Sequence, residues 1–109
     1  MSVRVDWSKR AEYIRTRHAV EPSWASEAVE DDHAVWLKPD PASRSGHSVR
    51  VVGYSASAQQ VLTVILVESG VDPSVSPDGD WWGSNAWVAN ERDRRLYERR
   101  IDGEEEPED

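Results

Sequence analysis

The chain has 109 residues, no cysteine and a formal net charge of −8, so it can form one domain with a modest core but no disulfide or thiolate metal site. The lack of cysteine and of an apolar leader predicts a cytoplasmic protein. The longest apolar run, residues 61–67, is too short to cross a bilayer. Because there are six Trp and no Phe, the core or a binding surface must depend on indole rings.

The charge is distributed unevenly along the chain. Residues 1–20 carry five Lys or Arg and two acids, and residues 90–101 carry five Arg and three acids, whereas residues 102–109 carry six acids and no base. An acidic protein binds polyanions only through a local basic surface. The two terminal helical segments are therefore the candidate phosphate-binding surfaces, and residues 102–109 are predicted to be an acidic disordered tail.

The first part of the chain predicts one short strand and two helices. Residues 3–5 alternate as a strand does. Asp6 or Ser8 can cap a helix over residues 9–18, and Pro22 begins a second helix that ends at Val29.

The remaining part predicts four strands and a closing helix. The strands cover residues 33–38, 48–54, 60–68 and 81–88. The third is apolar on both faces and should be central, and a long loop follows it over residues 69–80. Asn90, with Asp93 completing a capping box, begins a helix to Ile101 that Gly103 stops. Residues 1–101 thus form a single domain of class α+β: an antiparallel sheet with helices on one face, two of them N-terminal and one C-terminal.

Several groups of residues add a family resemblance to this order. They are Val5-Asp6 with Lys9, Ala11-Glu12, Arg17-His18 with Val20, Trp24 with Glu27-Ala28 and Asp31-Asp32, Val51 to Tyr54, Val61 to Ile65, and Ala89, Arg92, Arg94-Arg95 and Leu96-Tyr97-Glu98. In this order they resemble the BrnT family of toxins, which have a RelE-like ribonuclease fold and act in type II toxin–antitoxin pairs. The resemblance implies a RelE-like fold, RNA cleavage and a cognate antitoxin as partner. One departure falls on the last strand, where Trp87 stands in place of an Arg that the family is thought to use in cleavage.

A ribonuclease of this kind needs a proton-transfer group and cations for the phosphorane charge, for which His and Arg are suited. The candidates for catalysis are His18, Arg50, Arg92, Arg94 and Arg95. Those for RNA binding are Lys9, Arg10, Arg15 and Arg17. The alternative is structural: the helical Arg residues pair with neighbouring acids, and His18 offsets the helix dipole. Neither a metal site nor a cofactor is predicted, because the spacing of Asp31, Asp32 and His33 does not suit a metal.

Trp81, Trp82 and Trp87 form an unusual cluster on the last strand. By strand alternation, Trp81 and Trp87 should share one face and Trp82 the other. Exposed indoles bind partners or stack on bases, whereas the alternative is that all three are core.

Two functions follow, with a third less favoured. The first is a toxin that cleaves RNA and is neutralised by an antitoxin. The second is a catalytically inactive RelE-like module for protein–protein interaction, which Trp87 and the acidic balance favour. The third is an acidic mimic of nucleic acid, which the concentration of acids in the tail disfavours.

Overall fold

The computed structural model describes residues 3–70 and 76–105. Its elements, in chain order, are β1 (Val5–Asp6), α1 (Ala11–His18), α2 (Pro22–Glu30), β2 (Val35–Leu37), β3 (Ser48–Ser55), β4 (Gln60–Glu68), β5 (Trp81–Val88) and α3 (Glu91–Glu105). Three helices and five strands confirm the predicted α+β class.

The strands form one mixed sheet in the order β1-β5-β4-β3-β2. The antiparallel pairing of β2 to β5 is as predicted, and β4 is central. The edge strand β1 differs, because it is only two residues long and pairs parallel with β5 at Trp81 and Trp82.

The helices lie on both faces of the sheet, so the prediction that they share one face is wrong. α1 and α2 cover a large apolar cluster, which includes Ile14, Ala28, Val51, Val64 and Leu66. α3 packs on the opposite face through a smaller cluster that contains Val52, Ala89 and Tyr97. β4 is apolar on both faces because each of its faces meets a helix layer.

The close contact between α2 and the sheet depends on a glycine. A Cβ at Gly53 on β3 would lie 2.0 Å from the carbonyl oxygen of Ala28 on α2. Only glycine therefore allows the helix backbone to approach the strand this closely.

The start of α3 matches the predicted cap, but its end does not match the predicted stop. The side chain of Asn90 accepts a hydrogen bond from the backbone N–H of Asp93 at 2.9 Å, as expected of an N-cap. The helix continues through Gly103 to Glu105, because Gly103 does not adopt the left-handed conformation that ends helices. Of the predicted tail, residues 102–105 are thus helical, and residues 106–109 lie outside the described residues, as do residues 71–75 of the predicted loop.

Glu27 on α2 ties that helix to the hairpin between β3 and β4. Its carboxylate accepts hydrogen bonds from the hydroxyls of Ser55 and Ser57, at 2.7 and 2.6 Å, and from the backbone N–H of Ser57 at 3.0 Å. The bonds from Ser57 and Ser55 lower the pKa of Glu27 below its usual value.

Candidate nucleic-acid interface

A β-bulge in β5 gathers two tryptophans on one face of the sheet. The register between β4 and β5 shifts between Ile65 and Leu66. Across this shift, Val67 pairs with Trp82, Ile65 with Asn85 and Thr63 with Trp87. Because Thr63, Ile65 and Val67 alternate along β4, they share one face of the sheet. Their pairing partners on β5 therefore lie on that same face. We call the surface formed by Trp82, Asn85 and Trp87 the Trp face.

The predicted pairing of the tryptophans by parity is therefore wrong. The extra residue of the bulge reverses the alternation on its N-terminal side, which places Trp82 rather than Trp81 with Trp87. Trp81 packs against the large apolar cluster under α1 and α2, with its ring centroid 5.9 Å from that of Trp36. All three tryptophans are partly exposed. Trp81 differs in packing against the large apolar cluster, whereas Trp82 and Trp87 lie on the opposite face.

Helix α1 and the turn before it border the Trp face with cations. The ammonium of Lys9 lies 4.2 Å from the Trp82 ring centroid. The guanidinium of Arg10 donates from Nε to the carbonyl oxygen of Ser84 at 2.9 Å and lies over the ring of Tyr13 at 3.9 Å. Two of the four predicted RNA-binding residues therefore stand beside β5.

The other two predicted RNA-binding residues lie further along α1. Arg15 pairs with Glu21 at 3.0 Å, with both side chains about half exposed. Arg17 is exposed in the last turn of the helix. Arg17 is thus the more available of these two cations.

His18 is one of the predicted catalytic residues that the fold brings to the Trp face. Its ring centroid lies 5.9 Å from that of Trp87 and 5.9 Å from that of Tyr13. The Nε2 atom is buried and has no hydrogen-bond partner within residues 3–70 and 76–105. Because a buried polar atom without a partner costs free energy, this position is unusual for a purely structural histidine.

Arg50 also lies beside Trp87, but two carboxylates hold it. Its Nε donates to Asp40 and its Nη1 to Asp93, each at 2.9 Å, and its guanidinium carbon lies 5.9 Å from the Trp87 ring centroid. Asp93 also accepts a hydrogen bond from the buried hydroxyl of Thr63 at 2.8 Å. The loop after β2, strands β3 and β4, and the first turn of α3 therefore meet at Arg50.

The three predicted arginines of α3 do not converge. Arg92 lines a cavity of about 230 Å³ with Leu37 and Arg50, whereas Arg94 lines a separate cavity of about 290 Å³ beside Tyr54. Arg95 pairs with Glu91 at 2.6 Å on the exposed side of the helix. The three arginines therefore have separate surroundings in this structure.

Sequence reasoning missed two features of this surface. Asp40 and Asp93 are almost fully buried carboxylates that neutralise Arg50, and Asn85 takes a central place on the Trp face. The capping-box position of Asp93 was visible in the sequence. Its partner Arg50, 43 residues away, was not, because that pairing depends on the long-range placement of α3.

A second concave surface lies beside α2. It is an open hollow of about 770 Å³ formed by α2 and the end of β3, and its lining is Ser23, Ser26, Glu27, Glu30, Asp31, Tyr54 and Ala56. Asp31 there accepts hydrogen bonds from the backbone N–H of Tyr54 and from the hydroxyl of Tyr97. Glu27 and Asp31 are thus already used to hold α2 and α3 on the sheet.

Within the described part of the chain, no helix is long and apolar enough to cross a membrane. Among the same residues, no group of three or more His, Cys, Asp or Glu side chains is placed to hold a metal ion.

Comparison with protein-family models and with curated protein sequences gives no match. The resemblance to the BrnT toxins therefore remains a prediction from the residues themselves.

Proposed function

We propose that this protein is the toxin of a type II toxin–antitoxin system, a cytoplasmic endoribonuclease that binds single-stranded RNA on the Trp face and is neutralised by a cognate antitoxin. One observation carries the proposal: His18, a proton-transfer side chain, lies against Trp87 on a sheet face whose border carries Lys9 and Arg10. Aromatic rings beside cations are what single-stranded RNA requires, because bases stack on the rings and phosphates pair with the cations.

The cleavage reaction requires only proton transfer and stabilisation of charge from the protein. The 2′-hydroxyl of the RNA attacks the adjacent phosphorus and loses its proton, while the 5′-oxygen of the next nucleotide leaves and gains one. We assign the proton transfer to His18, because imidazole is the side chain most often used for this step. The exposed cations Arg17, on the same helix, and Lys9, beside Trp82, would offset phosphate charge.

Arg50 supports this reaction indirectly. Its guanidinium is already paired with Asp40 and Asp93, so its charge is offset before any phosphate arrives. We assign Arg50 a positioning role: it holds α3 and the loop after β2 at the border of the Trp face.

The neutralised Arg50 also favours a second candidate, the catalytically inactive interaction module. With Trp87 in place of the family's Arg, a cation that could stabilise the phosphorane is missing from this point of the strand. In that case Trp87 would anchor a protein partner instead of a base.

The test is induction of the chain alone in a bacterium, followed by RNA cleavage by the purified protein. We expect growth arrest that co-expression of the antitoxin relieves. His18→Ala should lower the cleavage rate by about 10²- to 10⁴-fold, the usual contribution of a proton-transfer group. The Arg94→Ala/Arg95→Ala double variant should still arrest growth, because Arg94 lines the separate cavity beside Tyr54 and Arg95 pairs with Glu91.

Trp87→Arg separates the two candidates. In a ribonuclease this change adds a cation beside His18 and should preserve or increase cleavage. In an interaction module it should leave cleavage absent and weaken capture of the partner, since a charge replaces an apolar anchor. Val88→Arg, at an exposed neighbouring position, is the matched control for the added charge. Normal growth with soluble, folded wild-type protein would refute the toxin and leave the module.

A further inference from the structure

His18 lies between two aromatic rings that come from different elements. It is the last residue of α1 and is partly buried. Tyr13, on the same helix, meets it edge to face with ring centroids 5.9 Å apart, and the tilted ring of Trp87 on β5 lies at the same distance. Separations of about 4.5–7 Å are typical of favourable aromatic pairs. Among the described residues, π-systems and not hydrogen bonds thus hold the imidazole.

The two ring nitrogens of His18 have different surroundings. Nε2 is buried and has no hydrogen-bond partner within residues 3–70 and 76–105. Nδ1 has no partner among those residues either, but it is not buried. An imidazole nitrogen that the protein does not pair needs water or a ligand. Nδ1 is therefore the nitrogen of His18 that solvent or a ligand can reach.

The aromatic surroundings determine which nitrogen carries the proton of the neutral imidazole. Aromatic faces are negative, so they attract an N–H group and repel a lone pair. At the buried Nε2, where no hydrogen-bond donor offers itself to a lone pair, a proton is therefore favoured. Because a neutral imidazole carries one proton, its lone pair is then on Nδ1.

Tyr13 is fixed in this arrangement, although the residue is 39% exposed. The guanidinium of Arg10 lies over the Tyr13 ring at 3.9 Å, and Nε of Arg10 donates to the carbonyl oxygen of Ser84 at 2.9 Å. A cation over an aromatic face is attracted to that face. The ring of Tyr13 is thereby connected through Arg10 to β5, the strand that also carries Trp87.

We propose that Tyr13 and Trp87 hold His18 as the Nε2–H tautomer and that Nδ1 takes the proton of the attacking 2′-hydroxyl; the second part rests on the proposed function. The 2′-oxygen forms its bond to phosphorus with the electron pair of the broken O–H bond, and the bond from phosphorus to the 5′-oxygen breaks. The imidazolium gives its proton to solvent, and solvent protonates the 5′-oxygen. Tyr13 touches no reacting atom and is a positioning residue.

The first measurement is a proton–nitrogen correlation spectrum of the isotopically labelled full chain, at a pH where its three histidines are neutral. His18→Gln identifies the signals of His18 by their loss. We expect a protonated Nε2 and an unprotonated Nδ1. The Nε2–H signal should be shifted to low frequency by the ring currents, and burial should slow its exchange with water. A proton on Nδ1 would overturn the inference.

Tyr13→Leu and Tyr13→Phe form a matched pair at a partly exposed position, because only the first removes the aromatic ring. Tyr13→Leu should reduce the ring-current shift and accelerate exchange of Nε2–H about three- to fivefold, as expected for the loss of a weak N–H···π contact. Tyr13→Phe should keep both. The same His18 signals and exchange rate in Tyr13→Leu and wild type would overturn the positioning role.

The second measurement is the rate of RNA cleavage. Tyr13→Leu should lower kcat by about three- to fivefold with little change in KM, because the contact acts on His18 and not on the bound RNA. Tyr13→Phe should cleave as the wild type does. A rise in KM at constant kcat would instead make Tyr13 an RNA contact and overturn its positioning role.

The two measurements distinguish failure of the inference from failure of the proposed function. If His18-dependent cleavage occurs but the spectrum places the proton on Nδ1, or Tyr13→Leu cleaves as fast as the wild type, the inference is overturned and the ribonuclease stands. If the spectrum shows Nε2–H but no RNA is cleaved, the ribonuclease and the use of Nδ1 in cleavage are both overturned.

Discussion

At the scale of single residues, Arg50 shows how a predicted catalytic group can serve the fold. Its side chain is 16% exposed, and the carboxylates of Asp40 and Asp93 that it pairs with are 7% and 2% exposed. Removing one partner of a buried ion pair leaves an uncompensated charge, which is far more costly than the pair itself is stabilising.

We therefore expect Arg50→Met to lower the free energy of unfolding by about 3–5 kcal/mol. Arg95→Met is the matched control: its pair with Glu91 is exposed, and its loss should change stability by less than about 1 kcal/mol. Urea denaturation of both variants measures the difference. Equal effects would mean that the Arg50 pairs contribute no more than a surface pair.

At the scale of elements, Glu27 links α2 to the β3–β4 hairpin, and its protonation should loosen this link. The hydrogen bonds from Ser57 and Ser55 lower the pKa of Glu27 in the folded state below the ordinary value of 4.5. A carboxyl whose pKa is lower in the folded than in the unfolded chain stabilises the fold above the unfolded pKa, and this contribution disappears as the pH falls through the folded pKa.

Glu27→Gln should accordingly be less stable than the wild type near neutral pH, and the difference should shrink as the pH falls below about 4.5. Thermal unfolding midpoints over a pH series measure it. Glu12→Gln changes an exposed carboxyl on α1 and should show little such trend. A constant gap between wild type and Glu27→Gln at every pH would show that packing, and not charge, holds the link.

At the scale of the whole molecule, the net charge opposes binding of any polyanion. Residues 104–109 contribute five carboxylates, and deleting them changes the net charge from −8 to −3. We expect the deletion to raise RNA affinity at low salt and the gain to fade toward about 0.15 M salt, where charges are screened over about 8 Å.

The matched control for the deletion keeps the length of the tail and replaces its acids by Gln. It should behave as the deletion does, since only the charge is expected to matter. Binding curves of the same RNA across a salt series decide the outcome. An affinity that is the same with and without the acids at every salt concentration would show that the acidic tail does not affect RNA binding.

The sequence by itself determined the elements that local chemistry controls. The apolar run of β4, Pro22 at the start of α2 and Asn90 at the cap of α3 each specify structure through neighbours in the chain. These signals were enough to predict the α+β class and the central strand. His18 became a candidate through the family resemblance, and the tryptophans of β5 through their clustering in the sequence.

The tertiary structure decided how these elements share their faces. The bulge in β5 turns Trp82 to the side of Trp87, and α3 packs on the face opposite α1 and α2. Both features depend on contacts between distant parts of the chain, and an alternating pattern does not reveal a single inserted residue. For the same reason Arg50 is held by carboxylates that lie 10 and 43 residues away, so whether its charge was available to a ligand was a property of the folded molecule alone.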